Sequence, residues 1–400
     1  MNKTNRVINL GLIQWSDPFD RKAMSGTPYK MAEALRAVGL NVVWVPAKKT
    51  LALRMYTKAV NLLNKFSRKQ TKPSHTKIGA SLLSGTLDRT IIDSCDVLFA
   101  PMASECIFRL RTDKPLIYLS DATFAIMVDY YFHNLSKRTV RQGNMIERNA
   151  IDLASEVVVS SRWAAESVVA DYHKDPSKIH VIEFGANIDE KDIVPRTFRY
   201  NGHLDLLFLG VDWVRKGGWI AVDICRWLNE NGIPSTLHIV GVRNLDPAIR
   251  KLSFVDYVGF LNKNIPEEYK RLVDLTRLCH CMLLPTLAEC SAIAFCESSA
   301  NGLPVFSHLT GGVADYICEG ENGHLLPFGS SGEDFGRKIK QSLESGELER
   351  MSVTSRLLYR QKLNWNIWGQ RMAEIIARCC LLYTSPSPRD RCRSRMPSSA

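Results

Sequence analysis

Two glutamates, Glu289 and Glu297, stand eight positions apart in the stretch AECSAIAFCESSANGLPVFSHLTGGVADY, residues 288–316. Only small or apolar residues separate them. A carboxylate is an acceptor for hydroxyl groups. Between the two carboxylates come Cys290, Ser291, Ala292 and Ile293. The first three are small enough for a ligand to approach the backbone. Ser291 is a fair N-cap, and a short helix is expected over 292–300, stopped at Asn301-Gly302. The first turn of a helix offers free N–H groups to an anion. Glu289 would then face a ligand from a loop, and Glu297 from the helix near its mouth. Hydroxyl acceptors beside an anion-binding helix start suit a sugar joined to a nucleotide by a diphosphate.

The elements that must hold these groups are legible as an alternation. Apolar runs at 7–14, 41–45, 97–102, 116–120, 157–161 and 180–184 read as strands. Amphipathic stretches such as 29–38, 144–154 and 164–172 lie between them. That alternation is the mark of a parallel sheet with crossover helices. A polar stretch without periodicity, KDIVPRTFRYNGH at 191–203, reads as a linker. The alternation then restarts with strands at 205–211, 235–241, 255–260, 281–285 and 305–308, and helices at 219–231 and 266–278. Two doubly wound α/β domains are expected, over 1–190 and 204–379, facing each other. In such sheets ligands bind outside the carboxyl ends of the strands, so a cleft between the domains is expected. Glu289 falls just past one strand's carboxyl end, and the basic pair Arg215-Lys216 just past another.

With its flanks in order, Glu289 to Glu297 resembles the E-x₇-E motif of family 4 retaining glycosyltransferases. The continuation NGLPVFSHLTGGVADYICEGENGHLLP is similar, as are GVDWVRKGG at 210–218, VDYVGFLNK at 255–263, EFGANID at 183–189 and SGTPYKMAEALRAVG at 25–39. The resemblance spans nearly all of residues 1–379. It implies the GT-B fold, two Rossmann-like domains, and a nucleotide-sugar donor such as a UDP- or GDP-sugar. It assigns donor-sugar hydroxyls to Glu289 and the nucleotide ribose to Glu297. The backbone of Cys290, Ser291, Ala292 and Ile293 would meet the sugar and the distal phosphate. Lys216 matches the family lysine that neutralises the diphosphate. The family arginine normally stands five positions earlier, where this chain has Val211, and Arg215 is the available substitute. Gly210 opens that loop on the donor side. Gly26, in the Ser-Gly-Thr-Pro turn before the first helix, permits close backbone approach. Asp121, in SDATF, is the candidate polar group near the reacting carbon or the acceptor, or else an N-cap of the next helix.

The resemblance further implies that the leaving phosphate assists the incoming hydroxyl on the same face, so no protein nucleophile is named. The chain has no Asp-x-Asp pair. Lys216, Arg215 and the helix start are therefore expected to stabilise the departing diphosphate with no metal and no cofactor. The acceptor is a glycan, a glycolipid or a small hydroxyl compound. Two other readings share the layout, a nucleotide-sugar 2-epimerase and a non-catalytic sugar-nucleotide binder.

Composition sets the remaining bounds. The chain has 400 residues, 45% hydrophobic and 23% charged, which fits a globular protein of about two domains. It has no apolar run of the length, about 18 residues, that a membrane-crossing helix needs. Its start reads as a buried strand rather than a signal peptide, so a cytoplasmic chain is expected. The stretch CLLYTSPSPRD and the terminal SRMPSSA resemble an in-frame translation of a sequencing-library adapter, so residues 380–400 are read as an artefact. They hold four Arg and one Asp, and without them the net charge falls from +11 to +8. They also hold two of the eleven cysteines, and the nine others are scattered, as reduced buried thiols are. Cys279-His280-Cys281 lacks the spacing of a zinc site.

One segment breaks the alternation. Residues 48–87 carry nine Lys or Arg and no Asp or Glu. Within them Leu53, Tyr56, Val60, Leu63 and Phe66 recur at helical spacing, with Arg54, Lys58, Lys65 and Lys69 mostly on other faces. A basic amphipathic helix can lie on an anionic membrane, and the alternative is a solvated helix packed on its own domain. Both readings stay open, with 48–77 the stretch that would meet an anionic membrane surface. Nucleic acid is not expected, because no binding motif and few interleaved aromatics accompany the charge.

Overall fold

Among the residues described by the computed structural model, 6–21, 26–193 and 197–384, twelve strands form two six-stranded sheets. The first sheet contains β1 (Asn9–Gln14), β2 (Asn41–Pro46), β3 (Val97–Pro101), β4 (Leu116–Ser120), β5 (Glu156–Val159) and β6 (Ile179–Val181). The second contains β7 (Leu204–Leu209), β8 (Ser235–Val240), β9 (Val255–Gly259), β10 (Cys281–Leu283), β11 (Val305–His308) and β12 (Gly323–Leu326). Every pairing between neighbouring strands is parallel. The composition of the strands explains this. VLFAP, LIYLS and EVVV in β3, β4 and β5 are buried at every position, as parallel strands covered by helices on both faces must be. Each Leu or Val so buried contributes roughly 1.5–3 kcal/mol.

The order of the first sheet is β2-β1-β3-β4-β5-β6, and that of the second is β12-β11-β10-β7-β8-β9. Both are doubly wound, and each reverses direction once. The reversal lies between β1 and β3 in the first sheet and between β7 and β10 in the second. At such a reversal the two connections leave on opposite faces of the sheet, and a crevice opens at the strands' carboxyl ends. This is the two-Rossmann architecture expected of a GT-B fold.

Each sheet has its own apolar core. Ile13, Leu98, Tyr118 and Val157 belong to the first, and Leu206, Phe208, Leu283 and Phe306 to the second. The chain divides into two compact units. Among the described residues, one comprises 6–21, 26–159, 164–182 and 369–384, and the other 160–163, 183–193 and 197–368. Of the stretch 191–203, residues 191–193 and 197–203 are described and lie in the second unit. The last helix, Trp365–Thr384, is shared, with its residues through Trp368 in the second unit and those from Gly369 in the first. Five residues of the adapter-like stretch, 380–384, continue this helix, and 385–400 lie outside the described residues.

Two local differences from the sequence reading have clear causes. The helix expected from 144 begins two turns earlier, as Lys137–Leu153, because Ser136 caps it by accepting from the Thr139 amide at 3.2 Å. The edge strand β12 was hidden in a Gly- and Asn-rich stretch, and its four residues are too few to show a period.

Candidate functional site

The crevice of the second sheet is built by two loops, one after β7 and one after β10. The first loop, 210–217, carries the basic pair. Its end is a left-handed turn: Gly217 has φ +72° and caps the helix Gly218–Glu230. A Cβ there would lie 2.1 Å from the Pro285 carbonyl oxygen, so the two loops approach each other as only glycine permits. Cross-loop hydrogen bonds fix the contact. The Leu287 amide donates to the Arg215 carbonyl at 2.7 Å, and the Thr286 hydroxyl donates to the same oxygen at 3.1 Å.

These contacts bring the charged groups together. Lys216 Nζ donates to Glu289 Oε2. Arg215 Nη1 donates to the Ala288 carbonyl at 2.9 Å and lies 3.7 Å from Glu289 Oε2. Asp212 steadies the arginine from behind, with its carboxylate 3.4 Å from Nε. Gly210 lies directly under the lysine, and a Cβ there would meet Lys216 Cγ at 3.0 Å. Glu289 is buried, so pairing with these cations offsets the desolvation of its charge.

The opposite side of the Glu289 loop is held by the Gly311-Gly312 turn. The Gly312 amide donates to the Glu289 carbonyl at 3.1 Å, and a Cβ on Gly312 would lie 2.1 Å from the Cys290 carbonyl oxygen. His308, buried at the end of β11, places Nδ1 3.1 Å from the Pro285 carbonyl oxygen. The loop is thus clamped on both sides by backbone contacts.

The helix after the loop is Ile293–Ala300, with Ala292 at the N-cap position and no side-chain cap. Ser291 is therefore not the cap expected of it. The Ile293 amide turns back to the Ser291 carbonyl at 2.9 Å. The first helical acceptor is instead the Ala292 carbonyl, which takes the Phe295 and Cys296 amides at 2.8 and 3.2 Å. Glu297 is the fifth residue of this helix and is buried. Lys263 Nζ donates to its Oε1 at 2.5 Å. Sequence reading did not single out Lys263 as a site residue. Its position beyond the carboxyl end of β9 was the available signal.

Two expected site residues belong to the first unit. Gly26 is a left-handed N-cap (φ +81°) of the helix Thr27–Ala37, and Pro28 sits in that helix's first turn. Ser25, before it, lies outside the described residues. Asp121 follows β4, but the next helix, Phe124–Met127, has Thr123 at its N-cap position, so Asp121 does not cap it. Asp121 acts on another carboxyl, that of Glu147. Glu147 is buried, and Tyr118 Oη donates to its Oε1 at 2.9 Å. Burial pushes the Glu147 carboxyl up to about 7, against the hydrogen bonds from Tyr118 and Ser104, with Glu105 and Asp121 adding to the rise.

Comparison with known proteins places the fold and the family that part of the chain resembles. Residues 191–355 match the family described as "Glycosyl transferases group 1". A D-inositol 3-phosphate glycosyltransferase of Xylanimonas cellulosilytica is 26% identical over 202 residues, 46% of this chain and 48% of that protein. The amylovoran biosynthesis glycosyltransferase AmsK of Erwinia amylovora is 26% identical over 174 residues, 41% of this chain and 42% of its own. The chain thus spans about half the length of these relatives. Among solved structures, a glycosyltransferase of Rickettsia africae aligns with TM-score 0.64 and 13% identity over 96% of this chain and 100% of its own. Anabaena HepE in complex with UDP and glucose aligns with TM-score 0.59 and 13% identity over 92% of this chain and 99% of its own. The shared fold is therefore that of GT-B enzymes.

Proposed function

We propose that this protein is a metal-independent retaining glycosyltransferase, moving a sugar from a nucleotide-sugar donor to a hydroxyl acceptor. One observation carries the reading. At the reversal of the second sheet, Lys216 and Arg215 from the β7 loop converge on Glu289 from the β10 loop. Glu297 is buried on the helix that begins just beyond that loop.

In this reading Glu289 accepts hydrogen bonds from donor-sugar hydroxyls, and Glu297 accepts them from the ribose. The backbone of Cys290, Ser291, Ala292 and Ile293 meets the sugar and the distal phosphate, close to a helix start that favours negative charge. Lys216 and Arg215 stabilise the diphosphate as charge develops on it, the part a metal plays elsewhere. The bond from the anomeric carbon to the phosphate oxygen breaks. The acceptor oxygen bonds to the same face of that carbon, and its proton passes to the leaving phosphate. Asp121 and the Gly26 turn are assigned to the acceptor side. The UDP and glucose bound by the Anabaena protein make UDP-sugars the first donors to try. Relatives named for amylovoran biosynthesis and for D-inositol 3-phosphate are in keeping with glycan, glycolipid or small hydroxyl acceptors. We place the reaction in the cytoplasm, at or near the membrane face. Residues 380–400 are read as adapter translation, so a chain ending at Cys379 should melt and react as the full chain does.

The test is product analysis by NMR with UDP- and GDP-sugars, with and without acceptor and chelator. Transfer or slow hydrolysis with retained anomeric configuration, unaffected by EDTA, is expected. An epimerised donor, or a folded protein that binds donor without turnover, would replace this reading by one of its two competitors. Activity lost in EDTA and restored by a divalent cation would overturn the metal-free step.

A further inference from the structure

The helix Leu51–Lys65, in the first unit, carries two apolar faces rather than one. Leu53 and Val60 are buried, and Tyr56 packs with them, its hydroxyl 2.8 Å from the Thr76 hydroxyl. Leu63 and Phe66, expected on the same face, are instead exposed, Phe66 to 85%. Leu51, Met55 and Leu62 are exposed as well, Leu51 to 72%. At about 100° per residue, Leu51, Met55, Leu62 and Phe66 fall within about 60° of one another, roughly opposite Leu53 and Val60. Arg54, Lys58 and Lys65 form a second stripe along one flank of that exposed ridge, within about 40° of one another. Arg68 and Lys69 follow the helix end, and no acidic residue occurs from 48 to 87.

We infer that this face docks in the plane of an anionic phospholipid bilayer, with Leu51, Met55, Leu62 and Phe66 inserted among the acyl chains. The inference does not rest on the reading of the donor site. Apolar side chains pointing away from the protein core lose nothing internally when they enter lipid. Burying them removes apolar surface from water. The basic flank pairs with the headgroup charge, and the long Lys and Arg stems let the charges stay at the interface while the ridge sinks. Packed through Leu53 and Val60, the helix cannot turn its other side outward, so the face it offers is fixed. No described helix is long and apolar enough to cross a membrane. The geometry is that of a helix lying on the surface, with its apolar face about 5–10 Å into the headgroup region.

A second copy of the chain is the competing occupant. It would have to meet the same dense positive flank with its own, and like charges oppose that pairing.

The experiment is co-sedimentation of the full chain with phosphatidylcholine vesicles containing phosphatidylglycerol, at low and high salt, with pure phosphatidylcholine vesicles as control. The triple variant Arg54→Gln, Lys58→Gln, Lys65→Gln should lose about 10²-fold in partitioning at low salt, from about 1 kcal/mol per basic residue near an anionic surface. The double variant Leu62→Ser, Phe66→Ser should still adsorb at low salt but lose the binding that survives high salt, since screening weakens only the charge part. All altered residues are exposed, so melting temperature and donor binding should match the wild type. Wild-type protein left in the supernatant at low salt overturns the inference. So does equal binding to neutral vesicles, or a Leu62→Ser, Phe66→Ser variant that binds as the wild type at high salt. A vesicle-indifferent dimer that Phe66→Ser dissociates would assign the ridge to self-association instead.

Discussion

Lys263 Nζ lies 2.5 Å from Oε1 of Glu297, joining the loop after β9 to the helix that starts at Ile293. Glu297 has only 9% of its side chain exposed, whereas Lys263 has 38%. The lysine therefore holds a nearly buried carboxylate from its solvent side. If Glu297 receives the ribose hydroxyls, Lys263 is a positioning residue for that contact. Glu297→Ala should weaken donor binding by about 1–3 kcal/mol through lost hydrogen bonds. Lys263→Ala should weaken it less, and the double variant should cost less than the sum of the two, since neighbours that share a contact are not additive. Calorimetry with a UDP-sugar on all four proteins measures the cycle. Strict additivity would separate Lys263 from the donor site, and unchanged affinity in folded Glu297→Ala would remove Glu297 from it.

Lys216 faces the same test from the side of turnover. Its partner Glu289 is held in place by backbone contacts to Gly312, so losing the ammonium should leave the loop standing. Lys216→Ala should lower turnover roughly 10²–10³-fold, the usual cost of removing one preorganised stabiliser of developing charge. Melting should shift far less. A loss confined to KM, with turnover unchanged, would make Lys216 a donor anchor that does not act on the transition state.

The turn at Gly217 offers a test of the frame itself. Its φ is +72°, and an added Cβ would come within 2.1 Å of the Pro285 carbonyl oxygen, which leaves an alanine no room. Gly217→Ala must push the β7 and β10 loops apart, and a strained left-handed residue alone costs about 1–3 kcal/mol. We expect a lower melting temperature together with loss of donor binding, because the shift separates Lys216 from Glu289. Gly346→Ala, also left-handed (φ +73°) but with open space around its Cβ, should lower stability without touching donor affinity. Equal donor binding in both variants would mean that the approach of the two loops does not set the site.

Much of this arrangement was legible in the residues because parallel strands are short apolar runs and their carboxyl ends are marked by Pro, Gly and charge. Leu116–Ser120, Val305–His308 and the helix Pro266–Leu278 fall where the pattern places them. The resemblance gave Lys216 and Glu289 separate roles toward one donor, and the sheet order supplies the physical cause of their meeting. Sequence reading fails where the cause is tertiary. Nothing local shows that the Ile293 amide turns back to Ser291 and delays the helix by one residue. Periodicity likewise groups Leu53, Tyr56, Val60, Leu63 and Phe66 without showing that the first three pack on the protein while Leu63 and Phe66 are exposed. The partnership of Lys263 and Glu297 spans 34 positions, and no spacing rule connects them.

Glu147 makes the first unit's stability depend on pH in an unusual direction. Burial raises its carboxyl from the ordinary value of 4.5 to about 7. The native state therefore binds a proton that the unfolded chain has already released between those two values. A group with a raised native pKa contributes stability that is complete below the unfolded value and is lost as pH rises through the native one. Stability should thus fall between about pH 5 and pH 8, by about 3 kcal/mol at the most, since a tenfold change in proton affinity is worth about 1.4 kcal/mol. Glu147→Gln keeps an acceptor for Tyr118 and removes the titration, so its stability should be flat across that window and should exceed the wild type's at pH 8. Amide hydrogen exchange in the helix Lys137–Leu153, read for both proteins at pH 5 and pH 8 after correction for the intrinsic rate, isolates the effect to this unit. The two proteins should converge at pH 5 and separate at pH 8. If the wild type is as protected as Glu147→Gln at pH 8, the carboxylate ionises there without penalty. Water or a nearby cation would then have to reach it, and Lys72, which attracts the neighbouring Glu105, is the first candidate to replace.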